Sequence, residues 1–395
     1  MHNQIEKHVL NTAKHAEISI KNLAEYLTKS SKNDREKAKA IYCWITSNIS
    51  YDVSAYPAGA VSRYLSPDEV LKRKSAVCQG YAELFAALGT AAGLEVKTVD
   101  GYAKGFSYSA GDVFRGDCNH AWNALKINGK WHLLDVTWGA GHVENGKFIR
   151  HYEEYYFCPP SNHFIYSHFP RDPQLQLLSA PVSLQDFEKL VYVKPAFFKN
   201  SISLRTHTAV SVKTGNQIAV TLGVPDHILL EASLVHETYA AEQMTFIQKE
   251  PEQCKIYAVF PHKGTYILRV FSRDENTPGN FDWTLDYLIE AGEGVKKNTG
   301  FPAVYSDFYE KKVYLYSPVT GYLKHGTTQH FRLWIPGAGD VAVNMDGRMV
   351  PLMKSGRFFA GDVTIRPDNR ELKVFARFSN DTNYKGLLKY KCISA

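Results

Sequence analysis

A single dipeptide, Asn128-Gly129, most limits what this chain can fold into, because a strand-like run stands on each side of it. The runs cover 120–127 (HAWNALKI) and 130–137 (KWHLLDVT). Asn-Gly between two such runs favours a two-residue type I′ turn, and that turn fixes the register of the strands. The sequence therefore predicts an antiparallel hairpin from 120 to 137.

The predicted register brings four side chains together on one face of this hairpin. It pairs His120 with Thr137 and Trp122 with Asp135, and side chains two apart along a strand share a face. His120 and Asp135 are then diagonal neighbours, roughly 7–8 Å apart at the backbone. Because a carboxylate at that separation reaches an imidazole nitrogen, the two residues are a candidate acid–base pair.

A cysteine stands in the first turn of a predicted helix. Apolar residues recur at every third or fourth position in this segment, namely at Val77, Tyr81, Leu84, Phe85, Leu88 and Ala92. Ser75 is the predicted N-cap, and Gly93 is placed to end the helix in a left-handed conformation. Cys78 then lies at the positive end of the helix dipole, where a thiolate is favoured. The alternative is a small buried apolar residue, which most lone cysteines are.

Cys78, His120 and Asp135 supply the parts of a thiol-nucleophile triad. The imidazole takes the thiol proton, and the carboxylate sets the tautomer and orientation of the ring. The backbone N–H of Cys78 is one candidate donor to the oxyanion that forms during acyl transfer. The second donor stays open among four side chains, which are Tyr51, Gln79, Trp122 and Trp138.

The other histidines and tryptophans of this region are predicted to have structural roles. Trp122, Trp131 and Trp138 are expected to form core and site walls rather than a ligand-binding box. His132 falls on the opposite strand face from Asp135, which favours a structural role. Exposed positions are predicted for four histidines in a loop-rich region that lacks metal-ligand spacing: His142, His151, His163 and His168.

Composition excludes several classes of protein. The 395 residues predict two or three domains, and a net charge of +6 without a long basic run argues against nucleic-acid binding. No apolar run is long enough for a membrane span, and positions 1–20 lack the apolar core of a signal peptide. The default expectation is a cytoplasmic protein, with export by a non-classical route as the alternative.

The six cysteines are dispersed and include no CxxC pair, which argues against both a disulfide framework and a structural zinc site. Cys118 and His120 are two positions apart, but no second ligand pair of the usual spacing accompanies them. Calcium-loop spacing of acidic residues is also missing from the sequence. We therefore expect neither a metal nor another cofactor.

The sequence pattern changes near Pro181. From there on, short segments of alternating apolar and polar residues are separated by Gly, Pro and Asn. This pattern is typical of antiparallel β-sandwiches. Segments 266–273 (YILRVFSR) and 371–377 (ELKVFAR) are similar, which indicates a tandem duplication. The predicted domains are a catalytic domain at 1–180 and two immunoglobulin-like (Ig-like) sandwiches at 181–292 and 298–395.

Three sequence blocks resemble the transglutaminase-like superfamily, in particular the branch of kyphoscoliosis peptidase and hillarin. They are AIYCWITSNISYD (40–52), AVCQGYAELFAALGTAAGL (76–94) and NHAWNALKINGKWHLLDVTWGAG (119–141). The resemblance covers about 20–180 and implies a papain-like α+β core in which a helix bears the nucleophile and a sheet bears the His and Asp. Carried over by position, the implied triad is Cys78, His120 and Asp135. The branch is also similar in placing β-sandwich domains after its core.

Members of this superfamily divide among proteolysis, transamidation, deamidation and non-catalytic scaffolding. The leading prediction is a cysteine peptidase or amidase that transfers an acyl group from a protein or peptide amide through a Cys78 thioester to water. A protein-glutamine transglutaminase or deamidase is the alternative enzyme. From another class, the alternative is a catalytically weak scaffold whose sandwich domains dock a protein partner.

Overall fold

The computed structural model describes residues 7–9, 11–58, 65–236, 239–240, 243–379 and 381–394. The chain divides into two compact units, Met1–Leu190 and Val191–Ala395. The division falls ten residues after the predicted end of the catalytic domain at position 180. Within the described part of the chain, no helix is long and apolar enough to span a membrane.

Helices make up the first half of the Met1–Leu190 unit. Its α-helices are Ile20–Thr28, Asp34–Asn48, Pro67–Arg73, Cys78–Ala91, Val136–Ala140, Ser161–Phe164 and Leu184–Lys189. Short 3₁₀ helices cover Lys14–Ile18, Val53–Ala58, Glu154–Tyr156 and Pro173–Gln176. Side-chain caps start two of the long elements: Asn33 accepts from the Glu36 N–H, and Ser66 and Glu69 form a capping box.

The helix Cys78–Ala91, called the Cys78 helix below, begins later than the predicted cap. Ser75 is not its N-cap: Ser75–Ala76 pairs as a short parallel strand with Ser50–Tyr51, and Val77 is the N-cap without a side-chain cap bond. Backbone pairing of Ser75 thus replaces the capping role. Gly93 has φ +79°, which confirms the predicted left-handed end of this helix.

A four-stranded antiparallel sheet completes the Met1–Leu190 unit. Its strands lie in the order Lys130–Leu134, His120–Ile127, Glu95–Ala103 and His168–Pro170. A separate two-stranded ribbon is formed by Gly141–Glu144 and Lys147–Arg150. The sheet supports the α+β core that the sequence predicts.

The predicted hairpin register is confirmed for most of its length, because Ile127 pairs with Lys130 and Asn123 with Leu134. The two outermost predicted pairs, Trp122 with Asp135 and His120 with Thr137, are wrong. The second strand ends at Leu134, and Asp135 is the N-cap of the short helix Val136–Ala140. The Asp135 carboxylate satisfies the first N–H groups of that helix, and this local bonding competes with strand pairing.

The Cys78 helix packs directly on the sheet and on its helical neighbours. Gly80 lets the Cys78 helix lie close to the strand Ser75–Ala76, since a Cβ at position 80 would lie 2.7 Å from the Ala76 Cβ. The buried Asn123 side chain donates from its amide to the Ala82 carbonyl, over 3.0 Å, and so joins the hairpin to the Cys78 helix. These contacts fix the helix that carries Cys78 relative to the strand that carries His120.

The Val191–Ala395 unit is almost entirely β-structure. The strands of its first sheet lie in the order Ser203–Leu204, Gln217–Gly223, Gln253–Val259 and Thr245–Glu250. The strands of its second sheet lie in the order Ser211–Thr214, Asp282–Ala291, Gly264–Asp274, Ile228–His236 and Tyr239–Ala240, and Tyr192–Val193 also pairs with Asp282–Ala291. The strands of a third sheet lie in the order Ala303–Val304, Lys385–Ile393, Glu371–Phe378, Ala338–Met345, Arg348–Ser355, Phe358–Thr364, Thr328–Trp334 and Tyr314–Ser317. The strand Tyr322–Lys324 also pairs with Lys385–Ile393. The short helices are Pro195–Lys199 and Ser306–Glu310.

The two similar sequence segments occupy similar places in these sheets. Gly264–Asp274 and Glu371–Phe378 each pair antiparallel with the strand that follows them in the chain. Residues on both sides of the predicted boundary at 292–298 share one apolar cluster, in which Phe246 packs with Phe301 and Phe308. Gln248 also bonds both backbone groups of Leu315 through its side-chain amide.

Candidate active site

Cys78 is the first residue of its helix and is half-buried. The first N–H groups of a helix have no intrahelical acceptor, so they surround this thiol with partial positive charge. Burial opposes ionisation, but a hydrogen bond with His120, the charge of His120 and the Ala121 backbone N–H outweigh it and lower the pKa of Cys78. The Cys78 thiol is therefore more acidic than a free cysteine.

The His120 ring is held between a thiol and a carboxylate. Its Nε2 lies 2.7 Å from Oδ2 of Asp135, which leaves Nδ1 as the nitrogen for Cys78. Burial alone would lower the pKa of His120, but the Asp135 charge and hydrogen bond, followed by the Cys78 contact, raise it to about 10. These interactions favour the protonated form of the ring.

Asp135 is fully buried, and both of its carboxylate oxygens accept two hydrogen bonds. Oδ1 accepts from the backbone N–H groups of Thr137 at 2.7 Å and Trp138 at 3.1 Å. Oδ2 accepts from Nε2 of His120 at 2.7 Å and Nε2 of His168 at 3.1 Å. Burial would raise the pKa of Asp135, but the His120 charge and these donors hold it well below its usual value.

His168 is the residue of this site that the sequence misplaced. It is not at the surface: it is 1% exposed, donates to Asp135, and has its Nδ1 2.8 Å from Oγ of Ser167. The three-residue strand His168–Pro170 brings it into place by pairing with Glu95–Ala103, with Ala103 opposite His168. Since that pairing joins residues far apart in the chain, no local pattern in the sequence indicates it.

Two of the three predicted tryptophan walls surround the His–Asp cluster. The Trp138 ring centroid lies 5.3 Å from that of His120 and 4.4 Å from that of His168, and the fully buried Trp122 ring lies 6.0 Å from His120. Trp131 instead stacks under Lys97, with the ammonium 4.8 Å from the ring centroid. The walls leave the cluster little contact with water, which strengthens its internal charge interactions.

The remaining predicted residues have simpler environments. His142 and His151 are exposed as expected, whereas His132 and His163 are half-buried. Among the candidate oxyanion donors, the Gln79 side-chain amide donates to Glu83 at 2.9 Å, and the Tyr51 ring lies beside the Tyr81 ring in a tilted arrangement.

The other cysteines lack the features that acidify Cys78. Burial raises the pKa of Cys158 and Cys254 to about 12 and that of Cys392 to about 11. Burial also raises the pKa of Cys118, although its sulfur accepts a hydrogen bond from Arg171. Of the five thiols Cys78, Cys118, Cys158, Cys254 and Cys392, Cys78 is the one with a lowered pKa.

His120, Asp135 and His168 also present possible metal-ligand atoms within 4.8 Å of one another. Hydrogen bonds between these same atoms account for the convergence. Because Oδ2 of ionised Asp135 only accepts, each Nε2 that contacts it carries a proton and has no lone pair for a metal.

Comparisons with known proteins agree with this geometry. The model of the transglutaminase-like superfamily matches residues 21–136, and that of the KY-like, immunoglobulin-like domain matches 184–302. Mouse kyphoscoliosis peptidase is 33% identical over 64% of this chain and 38% of its own length. Drosophila melanogaster hillarin is 28% identical over 49% of this chain and 25% of its own length.

A solved transglutaminase structure is similar at 23% identity and a TM-score of 0.24, over 39% of each chain. This chain spans less than two-fifths of the length of the two curated relatives above. The two matched segments are the α+β core and an Ig-like domain after it, and a β-rich C-terminal region follows them. Residues 21–136 are thus a transglutaminase-like domain, and the chain is similar to kyphoscoliosis peptidase and hillarin.

Proposed function

We propose that this protein is a thiol enzyme that transfers acyl groups from protein or peptide amides, with Cys78 as nucleophile and His120 and Asp135 as its partners. One observation carries the proposal: the thiol at a helix N-terminus contacts an imidazole whose other nitrogen binds a fully buried carboxylate. Each link lowers the free energy of the thiolate–imidazolium pair. A scaffold without catalytic function has no need of such an arrangement.

In the acylation step, the Cys78 thiolate attacks the carbonyl carbon of the amide, so that a C–S bond forms. His120 gives its Nδ1 proton to the nitrogen of the leaving amine, and the C–N bond breaks to leave a thioester. Asp135 keeps its negative charge throughout and holds Nε2 of the ring. The oxyanion of the tetrahedral intermediate is placed next to the free N–H groups that begin the Cys78 helix.

In the deacylation step, neutral His120 takes a proton from a water molecule, whose oxygen adds to the thioester carbonyl. The C–S bond then breaks, a carboxylic acid leaves, and the thiolate–imidazolium pair is restored. If an amine enters in place of water, the same steps give a transamidation. If the acyl group is that of a glutamine side chain, water gives a deamidation. The leading proposal is hydrolysis, hence a peptidase or amidase.

We further propose that the catalytic domain extends to Leu190 and that the sandwiches recruit a protein substrate or partner. The helix Leu184–Lys189 supports this boundary, because its Phe187 is fully buried in a cluster with Ile165 and Phe169. The Ig-like segment after it offers a recognition surface of a kind common in protein–protein contacts.

The test combines a thiol-directed activity probe with mass spectrometry of candidate substrates. Wild type, Cys78→Ala and the matched control Cys118→Ala are incubated with the probe and, separately, with a proteome digest and an added primary amine. We expect probe labelling and new carboxyl termini with wild type and Cys118→Ala only. A mass gain of one unit at glutamine, or incorporation of the amine, would assign deamidation or transamidation and overturn hydrolysis. An unreactive Cys78 would overturn the enzyme proposal in favour of a scaffold.

A further inference from the structure

We propose that His168 is a positioning residue that controls how tightly His120 holds its proton, by donating a hydrogen bond to the same carboxylate oxygen of Asp135. This inference rests on the proposed function of Cys78, His120 and Asp135. It starts from the convergence of two histidine Nε2 atoms, at 2.7 and 3.1 Å, on Oδ2 of one buried aspartate. A triad needs only the first of these contacts.

The hydrogen bonds around His168 are compatible with a neutral ring. Oδ2 of Asp135 only accepts, so Nε2 of His168 carries a proton. Nδ1 lies 2.8 Å from Oγ of Ser167, whose hydroxyl donates either to this nitrogen or to the Phe164 carbonyl. Burial and the charge of His120 oppose a second positive charge here, and the pKa of His168 falls to about 4 despite the pull of Asp135. His168 is therefore a neutral donor.

A neutral donor on Oδ2 weakens the grip of Asp135 on His120. When His120 is neutral, the Asp135 charge has no ionic partner, and the His168 bond stabilises it most. When His120 is an imidazolium, the same bond adds less, because the charge is already compensated. His168 thus favours the state in which His120 has given up its proton, and it lowers the proton affinity of His120 relative to a site without this donor.

Asp135 does not need His168 for its orientation. Its other oxygen, Oδ1, is fixed by the N–H groups of Thr137 and Trp138, which follow it directly in the chain. Removing the His168 donor therefore leaves the carboxylate aimed at His120. This separates an electronic role of His168 from a merely structural one.

Three tyrosines also face this cluster, namely Tyr42, Tyr81 and Tyr156. Burial, with a contribution from the charge of Asp135, raises the pKa of Tyr42 and Tyr81 above the usual tyrosine value. The Tyr156 ring lies against His168, with centroids 6.2 Å apart. The remaining charged neighbour is the Cys78 thiolate, and its negative charge raises the pKa of His120.

The proton affinity of His120 matters because acylation requires its proton to leave. An imidazolium that holds the proton too tightly stabilises the Cys78 thiolate but donates poorly to the departing amine. Loss of the His168 donor should therefore keep His120 protonated to higher pH and slow the turnover of amide substrates. A structural defect would slow turnover without raising the pH at which His120 loses its proton.

The experiment uses the full chain and the rate of Cys78 alkylation by iodoacetamide between about pH 4 and 11, so that the loss of the His120 proton falls within the profile. His168→Phe removes the donor and keeps a ring to stack on Phe164, which lies 4.0 Å away between centroids. His168→Met is a second donorless variant should the first not fold, and His168→Gln is the matched control, since its amide reaches as far as Nε2. Thermal unfolding checks each fold.

We expect the alkaline step of the alkylation profile, at which His120 loses its proton, to move up by about half to one pH unit in the donorless variants, while His168→Gln keeps the wild-type step. Turnover of an amide substrate should fall about three- to tenfold in the donorless variants. An unmoved step, or a step that moves to lower pH, would overturn the role of His168. If wild-type Cys78 itself showed no acid limb below that of a free thiol, the proposed function would fail first.

Discussion

Replacing Asp135 with asparagine tests the proposed triad most severely, because the change keeps the size of the side chain and removes its charge. The carboxylate accepts four hydrogen bonds, two on each oxygen. In Asp135→Asn the oxygen can still accept from Thr137 and Trp138, but the NH₂ group then faces Nε2 of His120 and His168. Both of these nitrogens carry protons in the wild type, so two donors would meet two donors.

At His120 the conflict is relieved if the ring loses its Nε2 proton and keeps the one on Nδ1, the nitrogen that faces Cys78. A ring in that tautomer cannot take the thiol proton. Two hydrogen bonds to a charged group are lost, each contributing about 1.5–3 kcal/mol. If they act mainly on the transition state, the sum corresponds to a loss of turnover between about a hundredfold and ten-thousandfold.

The assay measures both amide turnover and the pH profile of Cys78 alkylation in the same preparations. We expect Asp135→Asn to lower turnover by that factor and to shift the acid limb of Cys78 to higher pH, since the imidazolium loses its anchor. The matched control is Asp112→Asn, an exposed loop residue whose carboxylate accepts from the Ser109 N–H. Near-normal activity in Asp135→Asn, together with loss of activity in His120→Ala, would show that a Cys–His dyad does the chemistry and that the role given to Asp135 is wrong.

Three further predictions follow from the fold around the site. Gly101→Ala should lower the free energy of unfolding by about 1–3 kcal/mol, because a Cβ at this position would clash with the Phe169 backbone oxygen of the neighbouring strand. The substitution should also slow Cys78 alkylation, since Gly101 pairs with His120. The free energy of unfolding should also fall by up to about 3 kcal/mol as the pH drops from 6.5 toward 4. Unfolding raises the pKa of His168 from about 4 to its ordinary value, so the unfolded chain binds an extra proton in this range. In urea titrations, His168→Gln should show a smaller dependence of stability on pH. A fragment 1–190 should fold with a reactive Cys78, whereas 1–180 should be less stable by about 3–5 kcal/mol because it loses the buried Phe187; equal stability of the two fragments would contradict the boundary at Leu190.

The sequence carried enough local information to predict the parts of the site that depend on short-range pattern. The Asn128-Gly129 turn fixes the hairpin register, and apolar spacing with a terminal glycine defines the Cys78 helix. Both features depend on backbone conformations that few residues adopt. They brought His120 and Asp135 close together even though the strand ends one residue before Asp135.

What the sequence could not show depends on contacts between distant segments. His168 joins the site through a three-residue strand that pairs with residues more than sixty positions earlier in the chain. Ser75 was a reasonable cap by residue type, but its backbone pairs with Ser50 instead. The helix Leu184–Lys189 follows Pro181, and contacts with distant residues assign it to the first compact unit, namely the packing of Phe187 and the hydrogen bond that Glu188 accepts from the Phe114 N–H.

Limiting alkylation of the native protein, followed by peptide mapping of all six cysteines, tests the central claim most directly. At neutral pH and low iodoacetamide, we expect Cys78 to be labelled well before Cys43, Cys118, Cys158, Cys254 and Cys392, because the helix N-terminus and the imidazolium of His120 stabilise its thiolate. The preference should disappear in His120→Ala. Labelling of Cys118 or Cys158 ahead of Cys78 in the wild-type protein would contradict the assignment of Cys78 as the nucleophile.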